Sequence, residues 1–239
     1  MNDTLIISDI HLGSDISRVK LLIPKLQSKL EDGSLERIIL LGDIFQDINF
    51  KRLAKHHWKF LSLLRKYSDL VEIVWVIGNH DYQISDVMSH LVGFPTYEKY
   101  VWKQNYKTYC AIHGHQFDKT LGRFSKIKDF FVEIYLEAQK IKFLNSFISK
   151  CVQYSENKLS TLQIDVRNGA IELAKENYYD YIFCGHTHIA EHHTVDKINY
   201  YNSGCWVNNI GTILIVDDTG ATSIYSFNTE QLKNSNSNE

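Results

Sequence analysis

The chain has 239 residues, 44% hydrophobic and 23% charged, a composition that supports a buried core and excludes a disordered or fibrous protein. With 26 Lys and Arg against 28 Asp and Glu, the formal net charge is −2, so no global positive field draws polyanions and no nucleic-acid partner is expected. Four cysteines without a CxxC pair, an N-terminal MNDTLIISD without the basic start of a secretory signal, and the absence of a run of about 18 apolar residues lead to the expectation of a cytoplasmic protein.

Short apolar runs at Leu5–Ile7, Ile38–Leu41 and Ile73–Ile77, each followed at once by polar residues or glycine, predict three buried parallel strands. Between them Val19, Leu22, Ile23, Leu26 and Leu30, and then Leu53, His57, Phe60, Leu61 and Leu64, recur at helical spacing. The opening is therefore βαβαβ, and polar residues just past the strand C-termini collect along one edge. From Arg123 to Asn168 there is neither glycine nor proline, and Ile127, Phe131, Ile134, Ala138, Ile141 and Ile148 predict one long helix or two. Phe124, Phe130, Tyr135, Phe143, Leu144 and Phe147 add a second apolar stripe, and residues 119–158 carry eight basic side chains against four acidic ones. Strands are expected again at Tyr181–Cys184, Ile198–Asn202, Thr212–Val216 and Thr222–Phe227. A single domain is expected over residues 1–228, with a helical insertion at about 119–178 and a polar tail at 229–239.

The strand exits carry side chains suited to metals: Asp9 and His11 in SDIHLG, Asp43 in LLGDIF, and Asn79, His80 and Asp81 in VIGNHD. His113 follows in IHGHQFD, and His186 and His188 in CGHTH. Carboxylate, amide and imidazole donors without thiolate suit Mn²⁺, Fe²⁺, Zn²⁺ or Mg²⁺. His56, His57, His90, His192 and His193 fall outside these motifs and are read as structural or surface residues. Cys110 and Cys184 are read as small buried hydrophobes inside strand patterns.

The ordered motifs DxH, GD, GNHD, HG and GHxH, spanning residues 9–188, resemble the calcineurin-like metallophosphoesterase superfamily. The resemblance implies an α/β fold, a four-layer αββα sandwich with a helical lid insertion. It also implies two divalent metal ions, with Mn²⁺ the expected choice. Asp9, His11 and His188 would hold one, Asn79, His113 and His186 the other, and Asp43 would bridge them. His80 would face the substrate as a catalytic residue, with Asp81 fixing its tautomer.

HGHQFD, the insertion between His113 and His186, and YYNSGCWVNN look like the UDP-2,3-diacylglucosamine diphosphatases of lipid A synthesis. His115 and Cys205 stand where acids are common in that branch, and His80 where its best-known members carry arginine. The resemblance implies a lipid-linked nucleotide substrate cleaved to UMP and a lipid phosphate, and peripheral contact with the inner membrane surface. Asp118 and Arg123 are the expected substrate contacts. Alternatives are a metallophosphoesterase acting on soluble phosphodiesters, a phosphomonoesterase or phosphoprotein phosphatase, and a non-enzymatic scaffold. The oligomeric state is left open.

Overall fold

The computed structural model describes residues 3–83, 85–119 and 145–228. Within them the N-terminal apolar runs become β1 (Asp3–Ile7), β2 (Leu35–Leu41) and β3 (Glu72–Val76), paired in parallel. Parallel pairing needs crossovers, and α1 (Val19–Glu31) and α2 (Lys55–Tyr67) supply them. A short α3 (Ser85–Val92) then leads to β4 (Thr96–Tyr97), which adds to β3.

A second sheet begins with the hairpin of β5 (Lys99–Gln104) and β6 (Lys107–Ile112). After α4 (Asn145–Asn177), β7 (Tyr181–Cys184) lies parallel to β6, while β8 (Ala190–Val195) and β9 (Ile198–Ser203) complete the order β5-β6-β7-β9-β8. The chain then returns to the first sheet with β10 (Ile210–Val216), antiparallel to β1, and β11 (Thr222–Asn228), giving the order β11-β10-β1-β2-β3-β4.

Alternation along the buried strands sorts side chains into three cores. Leu5, Ile7, Ile38, Leu40, Ile73 and Trp75 face α1 and α2, whereas Ile6, Ile39, Leu41, Val74 and Val76 face the second sheet and meet Trp102, Tyr109, Phe183 and Tyr201. On the far side Cys110, Ile112, Ile182, Cys184 and Tyr200 pack against Val166, Ala170, Ile171 and Ala174 of α4. The fold is thus mixed α/β, helix, sheet, sheet, helix, as the sequence predicts.

Three differences from the sequence reading have physical causes. The edge strands β5 and β8, KYVWKQ and AEHHTV, escape prediction because charged and polar residues such as Lys99, Lys103, His192 and Thr194 break up any apolar run. The long helix does not stop before Gly169 but continues to Asn177, because a Cβ at Gly169 would lie 2.6 Å from the Phe117 ring and the glycine is what lets helix and ring close. The last turns of the expected insertion form the fourth layer of the sandwich through Val166, Ala170 and Ala174 and not a lid. Arg123 and the stripe residues Phe124, Phe130, Phe131 and Phe143 lie outside the described residues, as does the tail at 229–239.

Candidate metal centre

All of the proposed ligands follow the C-terminal ends of parallel strands: Asp9 and His11 after β1, Asp43 after β2, Asn79 after β3, His113 after β6, and His186 and His188 after β7. Main-chain bonds lace these loops together across the two sheets. Asp9 N–H donates to the Gly42 carbonyl at 3.0 Å, His11 N–H to Asp43 at 3.0 Å, Gly185 N–H to His113 at 2.9 Å and Trp206 N–H to Asp9 at 3.0 Å. Asp9, His11, Asp43, His186 and His188 all sit at φ between 50° and 66°, the left-handed region that costs an L residue roughly 1–2 kcal/mol. Strain at five neighbouring positions marks a constraint other than packing.

Asp9, His11 and His188 each bring a donor atom within 4.8 Å of the others, and Asp43, His113 and His186 form a second such group. In the first, His11 Nε2 and His188 Nε2 are 3.3 Å apart and His188 Nε2 is 3.2 Å from Asp9 Oδ1. In the second, His113 Nε2 is 3.4 Å from Asp43 Oδ2. The groups are joined by His186 N–H, which donates to Asp9 Oδ2 at 3.1 Å. Asn79 Oδ1 is buried without a hydrogen-bond partner, a loss of about 1–3 kcal/mol that a cation would offset. The donors fit hard or borderline divalent ions.

Tautomers are set from outside the centre. With His113 Nδ1 on the Leu41 carbonyl at 2.8 Å, Nε2 is the ring nitrogen turned toward Asp43 and available to a metal. Burial pushes His11 down to about 4 and also lowers His186, holding both neutral as coordination requires. Burial works against the charged form of His113 too, but the Asp43 carboxylate prevails and lifts it to about 9.

His80 stands over this centre, its ring 5.1 Å from that of His11. Its main-chain N–H donates to Asp43 Oδ1 at 2.9 Å and its Nδ1 lies 2.8 Å from the Gln46 carbonyl. The expected partnership with Asp81 is not made. Asp81 is fully buried, and its carboxylate accepts from the main-chain N–H groups of Ile44, Phe45 and Gly78 and from Trp75 Nε1, so it ties the exits of β2 and β3 together. A main-chain carbonyl, which has no side-chain signature, has the orienting place instead.

Asp118 is also placed differently from its expected substrate contact. It is buried, with Oδ2 3.2 Å from His186 Nε2, which leaves the His186 lone pair on Nδ1. Asp118→Leu is expected to weaken metal binding about 10–100-fold by titration calorimetry, with KM unchanged once metal saturates. A raised KM at unaltered metal affinity would instead make Asp118 a substrate contact. His115 lies against His113, ring to ring 5.5 Å, and the buried Cys205 is a neighbour of His188. His57 accepts the N–H groups of Gly13 and Ala54 at Nδ1, pinning the loop that carries His11 to α2. His192 stacks on Tyr201, and His193 contacts Arg167 and Glu191, both away from the ligands.

Residues 3–190 match the calcineurin-like phosphoesterase family. No curated protein matches the chain significantly. Among solved structures, the chain is similar to a novel archaeal phosphodiesterase, with 15% identity, a TM-score of 0.50, and coverage of 94% of this chain and 99% of that one. It is also similar to a hypothetical protein of Pyrococcus horikoshii, with 9% identity, a TM-score of 0.53, and coverage of 99% and 94%. At such identities these likenesses speak for the fold, and the family match together with the two donor groups speaks for the chemistry. The chain belongs to the calcineurin-like phosphoesterases and is a metal-dependent phosphoesterase.

Proposed function

We propose that the chain hydrolyses a phosphoric anhydride or phosphodiester at a pair of divalent cations, Mn²⁺ for preference. The observation that carries this reading is the pair of donor groups, Asp9–His11–His188 and Asp43–His113–His186, lying side by side with the unpartnered Asn79 Oδ1. Bound there, two divalent cations would lower the pKa of water and neutralise charge on the phosphoryl oxygens. Asp9, His11 and His188 would hold one, Asn79, His113 and His186 the other, with Asp43 shared. His80, with Nδ1 donating to the Gln46 carbonyl, presents Nε2 to the phosphoryl group or its leaving oxygen.

The substrate we infer is a lipid-linked nucleoside diphosphate, UDP-2,3-diacylglucosamine or a near analogue, cleaved to UMP and a lipid phosphate by a cytoplasmic enzyme. HGHQFD and YYNSGCWVNN support it. A second reading, hydrolysis of soluble phosphodiesters, is favoured by His80 in place of arginine after Asn79. Mn²⁺-loaded protein incubated with UDP-2,3-diacylglucosamine is expected to release UMP, and chelation to stop it. Cleavage of a soluble aryl phosphodiester without UMP release would select the second reading, and no hydrolysis of either would overturn both.

A further inference from the structure

We infer that the outer face of α2, with the turn before it, is a docking surface for an anionic lipid bilayer beside the mouth of the metal centre. Between residues 51 and 66 there are six cationic side chains, Lys51, Arg52, Lys55, Lys59, Arg65 and Lys66, and no Asp or Glu. The inner face of the helix is taken by His57, Phe60, Leu61 and Leu64, which are buried, so these charges point outward. Arg52 and Arg65 are paired with Asp47 and Asp69, while among the described residues Lys51, Lys55 and Lys59 make no ion pair. Their charge is available to a partner without breaking a contact.

An apolar element stands among these charges. Trp58 is 48% exposed, whereas Trp75, Trp102 and Trp206 are at most 6% exposed. Ile48, in the loop leading to α2, and Ile16, in the loop leading to α1, are also exposed. An acid-free helix face with an indole beside lysines matches the boundary between headgroups and acyl chains, where the ring buries its body and the ammonium groups meet lipid phosphates. A polynucleotide would use the lysines but leave Ile48 in water. Among the described residues no helix is long and apolar enough to cross a membrane, so the contact is with the surface.

Position links this face to the chemistry. α2 begins where the loop carrying Asp43 ends, and Gly13, two residues past His11, donates its N–H to His57 Nδ1 at 3.3 Å. The first turns of α2, with Lys55, Trp58 and Lys59, therefore stand next to the loop that bears a metal ligand.

The test uses the full chain with phosphatidylcholine vesicles, with and without phosphatidylglycerol. Because the other three tryptophans are buried, a blue shift in emission on adding vesicles reports Trp58. The shift and co-sedimentation are expected with anionic vesicles alone and to reverse in high salt. Lys55→Glu with Lys59→Glu should lower partitioning at least tenfold, from about fivefold per lysine removed. Trp58→Ala should abolish the emission change and weaken binding, while hydrolysis of a soluble diester stays at the parent rate in every variant. Absence of binding to anionic vesicles, equal binding to neutral ones, or binding to an oligonucleotide in place of vesicles would overturn the inference. Loss of soluble-diester hydrolysis in these variants would overturn it too, by making the face part of the catalytic scaffold.

Discussion

His80→Ala is expected to keep the parent metal content and to lower kcat by about 10²–10⁴. The separation follows from how His80 is attached. What it gives Asp43 is a main-chain N–H, at 2.9 Å, which alanine retains, while the imidazole bonds outside the ligand set, to the Gln46 carbonyl. Deleting the ring therefore removes a proton donor without loosening the Asp43 carboxylate. Elemental analysis of the dialysed variant and steady-state kinetics on one sample would measure both effects. If the ring donates to the leaving oxygen, the loss should shrink for a nitrophenyl ester, whose leaving group departs as a stable anion. A variant at full kcat would take His80 out of the reaction.

Gly42→Ala is expected to destabilise the protein by about 2–4 kcal/mol and to abolish binding at the group that contains His113. Gly42 has φ +82°, and a Cβ there would sit 2.2 Å from His113 Nδ1 and 2.4 Å from Cγ. The ring would have to move off the Leu41 carbonyl, and its Nε2 would swing away from Asp43. Gly33→Ala provides the comparison, since Gly33 also has a positive φ, +68°, but nothing within 4 Å of the added carbon. That variant should lose only about 1 kcal/mol and no activity. Denaturant midpoints and metal stoichiometry on the two variants would check this, and equal effects at both sites would show that the His113 ring yields without harm.

The sequence made the centre of the fold legible because its strands are covered on both faces. Val74 and Trp75 have no solvent side, so the run reads as apolar throughout. β8 lies at a sheet edge, where His192 and His193 are tolerated, and nothing in AEHHTV distinguishes it from a loop. The candidate ligands were legible for another reason: they are side chains of specialised chemistry at strand exits, and Asp43, Asn79, His113 and His186 each adjoin a glycine. Contacts made by main chain, or by a residue whose partner is remote in sequence, left no such trace. The Gln46 carbonyl under His80 and the reach of Asp118 to His186, 68 residues away, belong to that kind. Asp81 was misread because adjacency in sequence to His80 does not place its carboxylate beside that ring, and four donors from other residues take it instead.

The left-handed backbone at Asp9, His11, Asp43, His186 and His188 bears on how such a chain evolves. His11, His186 and His188 would be more comfortable as glycine, so a glycine that erases one of these ligands also relaxes the backbone, whereas the Asp9 and Asp43 carboxylates hold the N–H groups of His186 and His80. Selection for hydrolysis and selection for stability therefore pull in opposite directions at these three histidines. A lineage released from catalysis would lose these residues first and fold better for it, keeping the sandwich intact while its chemistry disappears.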